Sequence, residues 1–546
     1  SSDVGEWDLA FHPEKESQAG SKKRESGPEA GPEDKELDLD AWVHYVDYNR
    51  KDRFLVPEGF QIVGWVDINR PIYDFDEPFD DLLSLLPHCT LETNYAPATW
   101  DETAYHKSFE KFYYHTPCFD IAGMYPREWR FATRALVREY SYLQGSVLKD
   151  ITAVSKNSNS TPGFPKFKWW KTEADLLEER GYKDYINAWN KLLAGDRPSV
   201  LWYLFLKKEV LKESKIADSD IRQIVCADPI YARIGCIFEE HQNILMKQRT
   251  TTRFGQCGWS PFYGGFSKRI ERLVSRGNPH FVEFDWTRFD GTIPVEVFRH
   301  IKRIRYSFID EKQRTPVMDE IYDWYVNNLV SRYVLMPSGE ITVQNRGNPS
   351  GQISTTTDNN MINVFLQAFE FAYLNQAYTE PELDELWRDY DSLIYGDDRL
   401  NTTPLLPDDY VNKVIAMYKN VFGMWVKPEK VVVSDSVENL SFCGFTVKIQ
   451  DSSYLPVPTE MEKLLAALVK PVKKLQDKDS LYAKLLCYKI LLHYASDDNA
   501  FKHYVLVALE VVARHIRAAG GEEPCVFTDS MLDKLWRGGP NKSYGI

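Results

Sequence analysis

The sequence predicts a mixed α/β (α+β) fold, with strands and helices interleaved in the middle and a helical end. Three observations predict it. Residues Ser392 to Leu400 carry a strand–turn–strand signature. Apolar residues recur at helical spacing on either side, as Val297, Phe298, Ile301, Ile304, Phe308 and as Ile362, Phe365, Leu366, Phe369, Tyr373. The C-terminal hundred residues are mostly amphipathic segments.

Each element follows from local pattern. Residues 1 to about 40 read as a disordered acidic tail, because Ser, Gly, Pro, Glu and Lys dominate Glu14 to Glu36 and bury too little to offset ordering entropy. Phe281–Phe284 reads as a buried strand running into Asp285, Asp290 and a turn at Gly291. Pro294 sits where a helix can begin. Ser350 and Gly351 mark a loop, and a long helix runs from Thr355 to about Asn375. Ser392–Tyr395 is a strand, Gly396–Asp397 a turn, and Asp398–Leu400 the return strand. Thr459-x-x-Glu462 has the pattern of a capping box. Leu481 to Ala495 and Phe501 to Ala519 are further helices, the last stopped by Gly520-Gly521.

The 546 residues suffice for roughly three to four domain-sized units. A 43% hydrophobic and 27% charged composition suits a soluble globular chain. No run approaches the ~18 apolar residues of a membrane span; the longest, such as Leu464 to Val469, is flanked by Glu462, Lys463 and Lys470. The polar, acidic first thirty residues carry no signal-peptide pattern. Opening on Ser1 fits a processed polyprotein fragment or a recombinant expression product. Eight cysteines form no C-x-x-C pair, which signals neither a zinc site nor a disulfide framework. The net charge of −14 argues against coating nucleic acid by bulk attraction. Yet residues 207–276 hold 13 Lys/Arg against 8 Asp/Glu, a local +5 inside an acidic chain. That stretch is either a phosphate path or a solvated face.

The acids carry the sharpest chemistry. Asp285 ends a strand, Asp290 lies five positions on, and Asp397 and Asp398 sit at a hairpin tip. A strand end and a hairpin tip in one sheet can bring Asp285 beside Asp397. Hard carboxylates with no His or Cys nearby suit Mg²⁺ or Mn²⁺. Two such ions about 3.5–4 Å apart clamp the attacking and leaving oxygens of a phosphoryl transfer. Asp-x4-Asp alone is weak, and Tyr-Gly-Asp-Asp between apolar residues is sharper. Thr355 and Asn359, four apart on a helix, share a face; with Ser350 they either read a ribose hydroxyl or cap a helix. Lys207, Lys215 and Arg222 can grip a triphosphate.

In this order the motifs resemble those of the RNA-dependent RNA polymerases of positive-strand RNA viruses, picornavirus- and calicivirus-like. The wording from Phe284 to Pro294, Ser350 to Asn360 and Ile394 to Leu400 is most similar to astroviruses. The resemblance covers about Thr161 to Phe445. It implies a right-hand fold. Fingers would occupy 41–237 and 310–345, an antiparallel palm backed by helices 238–309 and 346–450, and a helical thumb 451–546.

The resemblance also implies roles. Thr161, Pro162, Gly163, Phe164 and Pro165, with Gly351, would bind template. Lys207, Lys215 and Arg222 would hold the triphosphate; Asp290, Ser350, Thr355 and Asn359 would take the nucleotide. Asp285 and Asp397, with Asp398 accessory, would be catalytic and bind two Mg²⁺ (or Mn²⁺). Lys430, in preference to Lys427, would protonate the leaving pyrophosphate. Ser441 to Phe445 resembles a primer-grip hairpin. The implied partners are an RNA template and product, NTPs and other viral replication proteins, and the family leans toward a protein primer. The implied place is the host cytoplasm, in membrane-associated replication complexes. A reverse transcriptase, a non-catalytic RNA-binding scaffold and a two-metal nuclease are rival readings, each less able to explain the sugar-reading and basic motifs together.

Overall fold

The structure, a computed structural model, describes residues 31–45, 53–68, 70–72, 81–113 and 117–538. Most of the expected tail, residues 1–30, lies outside the described residues. Its end departs from expectation, because Asp34–Leu37 and Leu39–Ala41 form two 3-10 turns. Arg180 holds Asp34 at 2.8 Å, and Trp42 meets the Phe164 ring edge-on at 6.1 Å. A docked aromatic just beyond the polar run orders the residues before it, so the boundary placed at 40 falls before Asp34.

One six-stranded sheet draws on three distant segments. Its order is His44–Tyr45, Ile62–Trp65, Glu340–Gln344, Arg332–Leu335, Leu201–Leu206, Gln223–Cys226. Leu201–Leu206 and Arg332–Leu335 run parallel, and the other pairs antiparallel. Buried Glu340 ties in the N-terminal segment by accepting from the Phe54 and Leu55 N–H groups at 3.0 and 2.7 Å.

The second sheet has four antiparallel strands: β1 His280–Phe284, β2 Asp391–Tyr395, β3 Asp398–Thr403 and β4 Val431–Ser434, in the order β2-β3-β1-β4. Strand alternation explains its position. Phe281 enters the core of the C-terminal half, whereas Val282 and Phe284 enter the larger core on the other face. Helices α1 (Pro126–Glu139) and α2 (Thr355–Tyr373) pack on each other, and residues 357–372 of α2 are all buried. Arg399 on β3 bridges sheet to helix. It pairs with Glu370 of α2 at 2.9 Å and lies 4.4 Å from the Phe284 ring centre. The expected strand, hairpin and long helix are therefore all present. A single helical turn, Phe289–Thr292, precedes the expected helix, which runs Val295–Ser307 with Pro294 as its N-cap.

The C-terminal part opens with three antiparallel strands, Ser441–Phe442, Phe445–Gln450 and Ser453–Pro458. Helices Met461–Val469, Lys478–Leu491, Ala500–Ala518 and Asp529–Arg537 follow. The expected Thr459 capping box does not form. Thr459 pairs its hydroxyl with that of Thr446 at 2.9 Å, and Glu460 occupies the N-cap without a side-chain bond. This end touches the N-terminal part, since Tyr504 donates to the Pro87 carbonyl and Thr93 to the Glu462 carbonyl, both at 2.8 Å. Among the described residues no helix is long and apolar enough to cross a membrane.

Candidate active site

Asp285 directly follows β1 and Asp397 directly precedes β3. These strands are neighbours, with Phe284 paired to Arg399. Carried one residue further, that register sets Asp285 across from Asp398 and next to the turn holding Asp397. The turn is Gly396-Asp397, and Gly396 adopts φ +62°, a conformation glycine favours at the first central position of a two-residue hairpin turn. Two α2 side chains fix it: Asn360 accepts from the Gly396 N–H at 2.7 Å, and Asn363 donates to its carbonyl at 3.1 Å. Nothing in the sequence reading had flagged this asparagine clamp.

The electrostatics follow the geometry. Burial raises the Asp285 carboxyl above the usual range, and the Asp397 charge raises it further; Lys430 and Lys215 pull it back. Burial and Asp397 likewise raise Asp290. Glu283, one alternation before Asp285, is raised by burial and by the Asp285 and Asp398 charges. It also accepts from the Ser441 N–H, which ties the expected primer-grip hairpin to β1. Lys430 stands 3.8 Å from Asp285, and its carbonyl accepts from the Asp285 N–H at 3.0 Å. Lys427 instead lies 5.7 Å from the Trp425 ring centre.

A second group of polar side chains adjoins the acids. Asn359 donates to Asp290 at 2.8 Å and accepts from Asn348 at 2.9 Å. Half-buried Lys111, not anticipated from sequence, faces Asp290, and desolvation drives its ammonium down to about 8 against that attraction. Exposed Ser350 lies 3.4 Å from the Gln223 carbonyl. Thr355 departs from expectation: its hydroxyl lies 3.0 and 2.9 Å from the carbonyls of Pro349 and Gln352. It locks the loop before α2 and does not join the Asp290–Asn359 pair. A side chain at Gly351 would meet the Val225 carbonyl at 2.2 Å, so that position serves close packing on the Gln223–Cys226 strand.

The basic residues flank this cleft unequally. Arg222 makes a bidentate pair with Glu209 at 2.8 and 3.1 Å, and Lys207 approaches the same carboxylate at 3.6 Å. Glu209 thus sets the position of two cations, a role legible only as alternation within Lys207-Lys-Glu209. Lys215 is exposed on a short helix and acts on Asp285 through its charge alone. Pro162, Gly163, Phe164 and Pro165 are buried and shape the loop, whereas Thr161 is half-buried and Lys168 exposed.

Among the described residues no three His, Cys, Asp or Glu side chains form a ready-made metal cage. The donor set nonetheless fits Mg²⁺, which is commonly held by one or two carboxylates plus substrate phosphates and water. Mutually repelling, half-buried carboxylates are what such a cation would relieve.

The family described as viral RNA-dependent RNA polymerase matches residues 80–510. Non-structural polyprotein 1AB of Ovine astrovirus 1 is 59% identical over 526 residues, covering 96% of this chain and 39% of that polyprotein. The same polyprotein of Human astrovirus-1 is 52% identical over 535 residues, covering 98% and 36%. The chain thus spans less than two fifths of these relatives. The solved Sicinivirus 3Dpol RNA dependent RNA polymerase superposes with a TM-score of 0.64 at 15% identity, over 86% of this chain and 97% of that one. That likeness makes the fold a right-hand polymerase fold. With a match over most of its length and relatives above half identity, the chain belongs to the viral RNA-dependent RNA polymerase family.

Proposed function

We propose that this chain is the RNA-directed RNA polymerase of an astrovirus-like virus, adding NMP from NTP to an RNA 3′ end under template direction. One observation carries the reading: Asp285 and Asp397 meet at the ends of paired strands, beside the Asp290–Asn359 pair. The family works with divalent metal. We assign two Mg²⁺ (or Mn²⁺) ions to Asp285 and Asp397, with Asp398 accessory; when bound they would acidify the 3′-hydroxyl and neutralise triphosphate charge. Lys430, 3.8 Å from Asp285, would donate a proton to the departing pyrophosphate. Arg222 and Lys207, oriented by Glu209, offset phosphate charge, and Lys215 adds an exposed cation. Asp290 and Asn359 form a fixed donor–acceptor pair for the ribose 2′-hydroxyl, with Ser350 at the rim. The Thr161–Pro165 loop and Gly351 shape the template path.

The fingers, palm and thumb boundaries stated above accompany this proposal, as do the RNA strands, NTPs, a protein primer and other viral replication proteins as partners. So does a membrane-associated replication complex in the host cytoplasm. The experiment is template-dependent synthesis with Mg²⁺. The parent should extend a primed RNA and Asp397→Ala should not. RNA binding with no incorporation by the parent would point to a scaffold, and preference for dNTPs to a reverse transcriptase.

A further inference from the structure

The basic stretch 207–276 is only half used by the cleft. Its second half gathers elsewhere. Arg249 and Arg253 both lie 5.2 Å from the Tyr142 ring centre. Arg272 donates to the Thr252 carbonyl at 3.2 Å, and buried Arg269 to that of Arg253 at 3.3 Å. Arg276 follows Arg272 by one turn of chain. Arg269 is neutralised, since it pairs with both Asp391 oxygens at 3.0 Å. Among the described residues Arg249, Arg253, Arg272 and Arg276 have no carboxylate within ion-pair distance. The buried Nε atoms of Arg253, Arg272 and Arg276 also lack hydrogen-bond partners. Burial lowers the Arg272 proton affinity; the Asp391 and Glu139 charges raise it, and those of Arg269 and Arg276 lower it. The carboxylates that act on these guanidinium groups, Glu139 and Asp391, are already engaged by the Phe254 N–H and by Arg269, so positive charge remains in excess and suits an external anion.

We propose that Arg249, Arg253, Arg272 and Arg276 form a second RNA site, binding the phosphodiester backbone outside the catalytic cleft. The proposal rests on the polymerase reading. Guanidinium forks match phosphate oxygens in bidentate fashion. Arg249–Arg253 and Arg272–Arg276 are each four residues apart; side chains at that spacing on a helical turn stand about 5–6 Å apart. The site is tied to the catalytic hairpin. Residues 254–256 bond along the outer edge of β2, with Ile394 donating to the Phe254 carbonyl at 2.9 Å and Gln256 to the Ile394 carbonyl at 2.7 Å. Arg269 clamps Asp391 at the base of that strand. Asp397 lies six positions beyond Asp391, at most about 20 Å away at strand rise, so one RNA strand can reach both places.

The test compares the full chain with Arg249→Gln/Arg253→Gln/Arg272→Gln/Arg276→Gln, using a fluorescein-labelled uridylate oligomer and a salt series. The expected result is weaker binding and a log–log salt slope flatter by roughly 2–3, near 0.7 per lost phosphate contact. Incorporation on a short primed template held within the cleft should be unchanged in that variant. Unaltered affinity and slope, in a variant with the parent's melting temperature, would overturn the proposal. If the variant melts early, each arginine changed singly to Lys gives a second reading: charge is kept, fork geometry lost, and affinity should still fall. Tighter binding of a synthetic peptide of residues 1–33 than of RNA at equal ionic strength would assign the patch to an acidic peptide and sink it also. Absence of incorporation by the parent would instead strike the polymerase reading.

Discussion

Lys430 and Lys427 stand differently about the acids, and the role proposed for Lys430 rests on that difference. Only Lys430 reaches Asp285, at 3.8 Å. Lys430→Met should therefore lower kcat by about 10²–10⁴-fold, the usual worth of a positioned general acid, with little change in KM. Lys427→Met should stay within a few-fold of the parent in the same single-nucleotide assay; a larger loss there would reverse the assignment. Asp285 makes a second residue-scale case. Its carboxyl titrates above the unfolded value because burial and Asp397 disfavour its charge. The sign is then fixed: stability is fully present at pH below the unfolded carboxylate value and is lost as pH rises through the raised folded one. At neutral pH without metal the penalty is complete. Asp285→Asn should raise the melting temperature in chelator-containing buffer while abolishing incorporation, and added Mg²⁺ should stabilise the parent more than the variant. A lowered melting temperature in chelator would refute this.

The elements around the cleft depend on charges that sequence could not pair. Beneath the start of α2, Lys302 lies 2.9 Å from Glu239 and 2.6 Å from Asp358, and Arg305 lies 2.8 Å from Asp358. Ser354, just before α2, donates to Glu239 at 2.8 Å. All four charged groups are fully buried, so removing one leaves its partner uncompensated, at a cost of about 3–5 kcal/mol. Glu239→Gln should lower the unfolding free energy read from urea titration by that amount and raise KM for NTP by loosening the Ser350–Thr355 loop. Despite its burial, the neighbouring Arg305 and Lys302 hold Glu239 at about 2. Its contribution to stability is therefore present above the ordinary carboxylate range and lost as pH falls toward that value. The strand Phe281–Phe284, the hairpin and the long helix were legible because each repeats a period in one stretch of chain. The Lys302 network, Lys111 and the Asn360–Asn363 clamp were not, since their partners lie far off in sequence and a lone buried Lys or Asn has no period. Thr459 failed for a related reason: a local cap pattern lost to a strand hydroxyl reached only through the fold.

At the scale of the molecule, the N-terminal segment acts as a strap across the sheet on which the Thr161–Pro165 loop packs. Composition alone assigned residues up to 40 to a tail, yet the strap begins at Asp34. Trp42 is its anchor. Its indole N–H donates to the Glu36 carbonyl at 2.7 Å, its ring lies 6.1 Å from Phe164 and 6.3 Å from Trp169, and the Lys168 ammonium stands 4.1 Å from its centre. Phe164 belongs to the loop proposed for template entry, so the strap and that loop share one packed surface. Two truncations separate the tail from the strap. Removing residues 1–30 leaves Trp42, Asp34 and their contacts intact and should leave the melting temperature unchanged. Removing residues 1–43 uncovers Phe164 and Trp169 and should cost about 2–3 kcal/mol, the burial worth of a large aromatic. That loss is seen as a melting temperature lower by a few degrees. The longer truncation should also weaken binding of a template overhang while leaving incorporation on a blunt, pre-annealed primer pair nearly intact, because Asp285, Asp397 and Lys430 lie on a different sheet. Equal melting temperatures for the two truncations would show that Trp42 contributes nothing to the surface it covers.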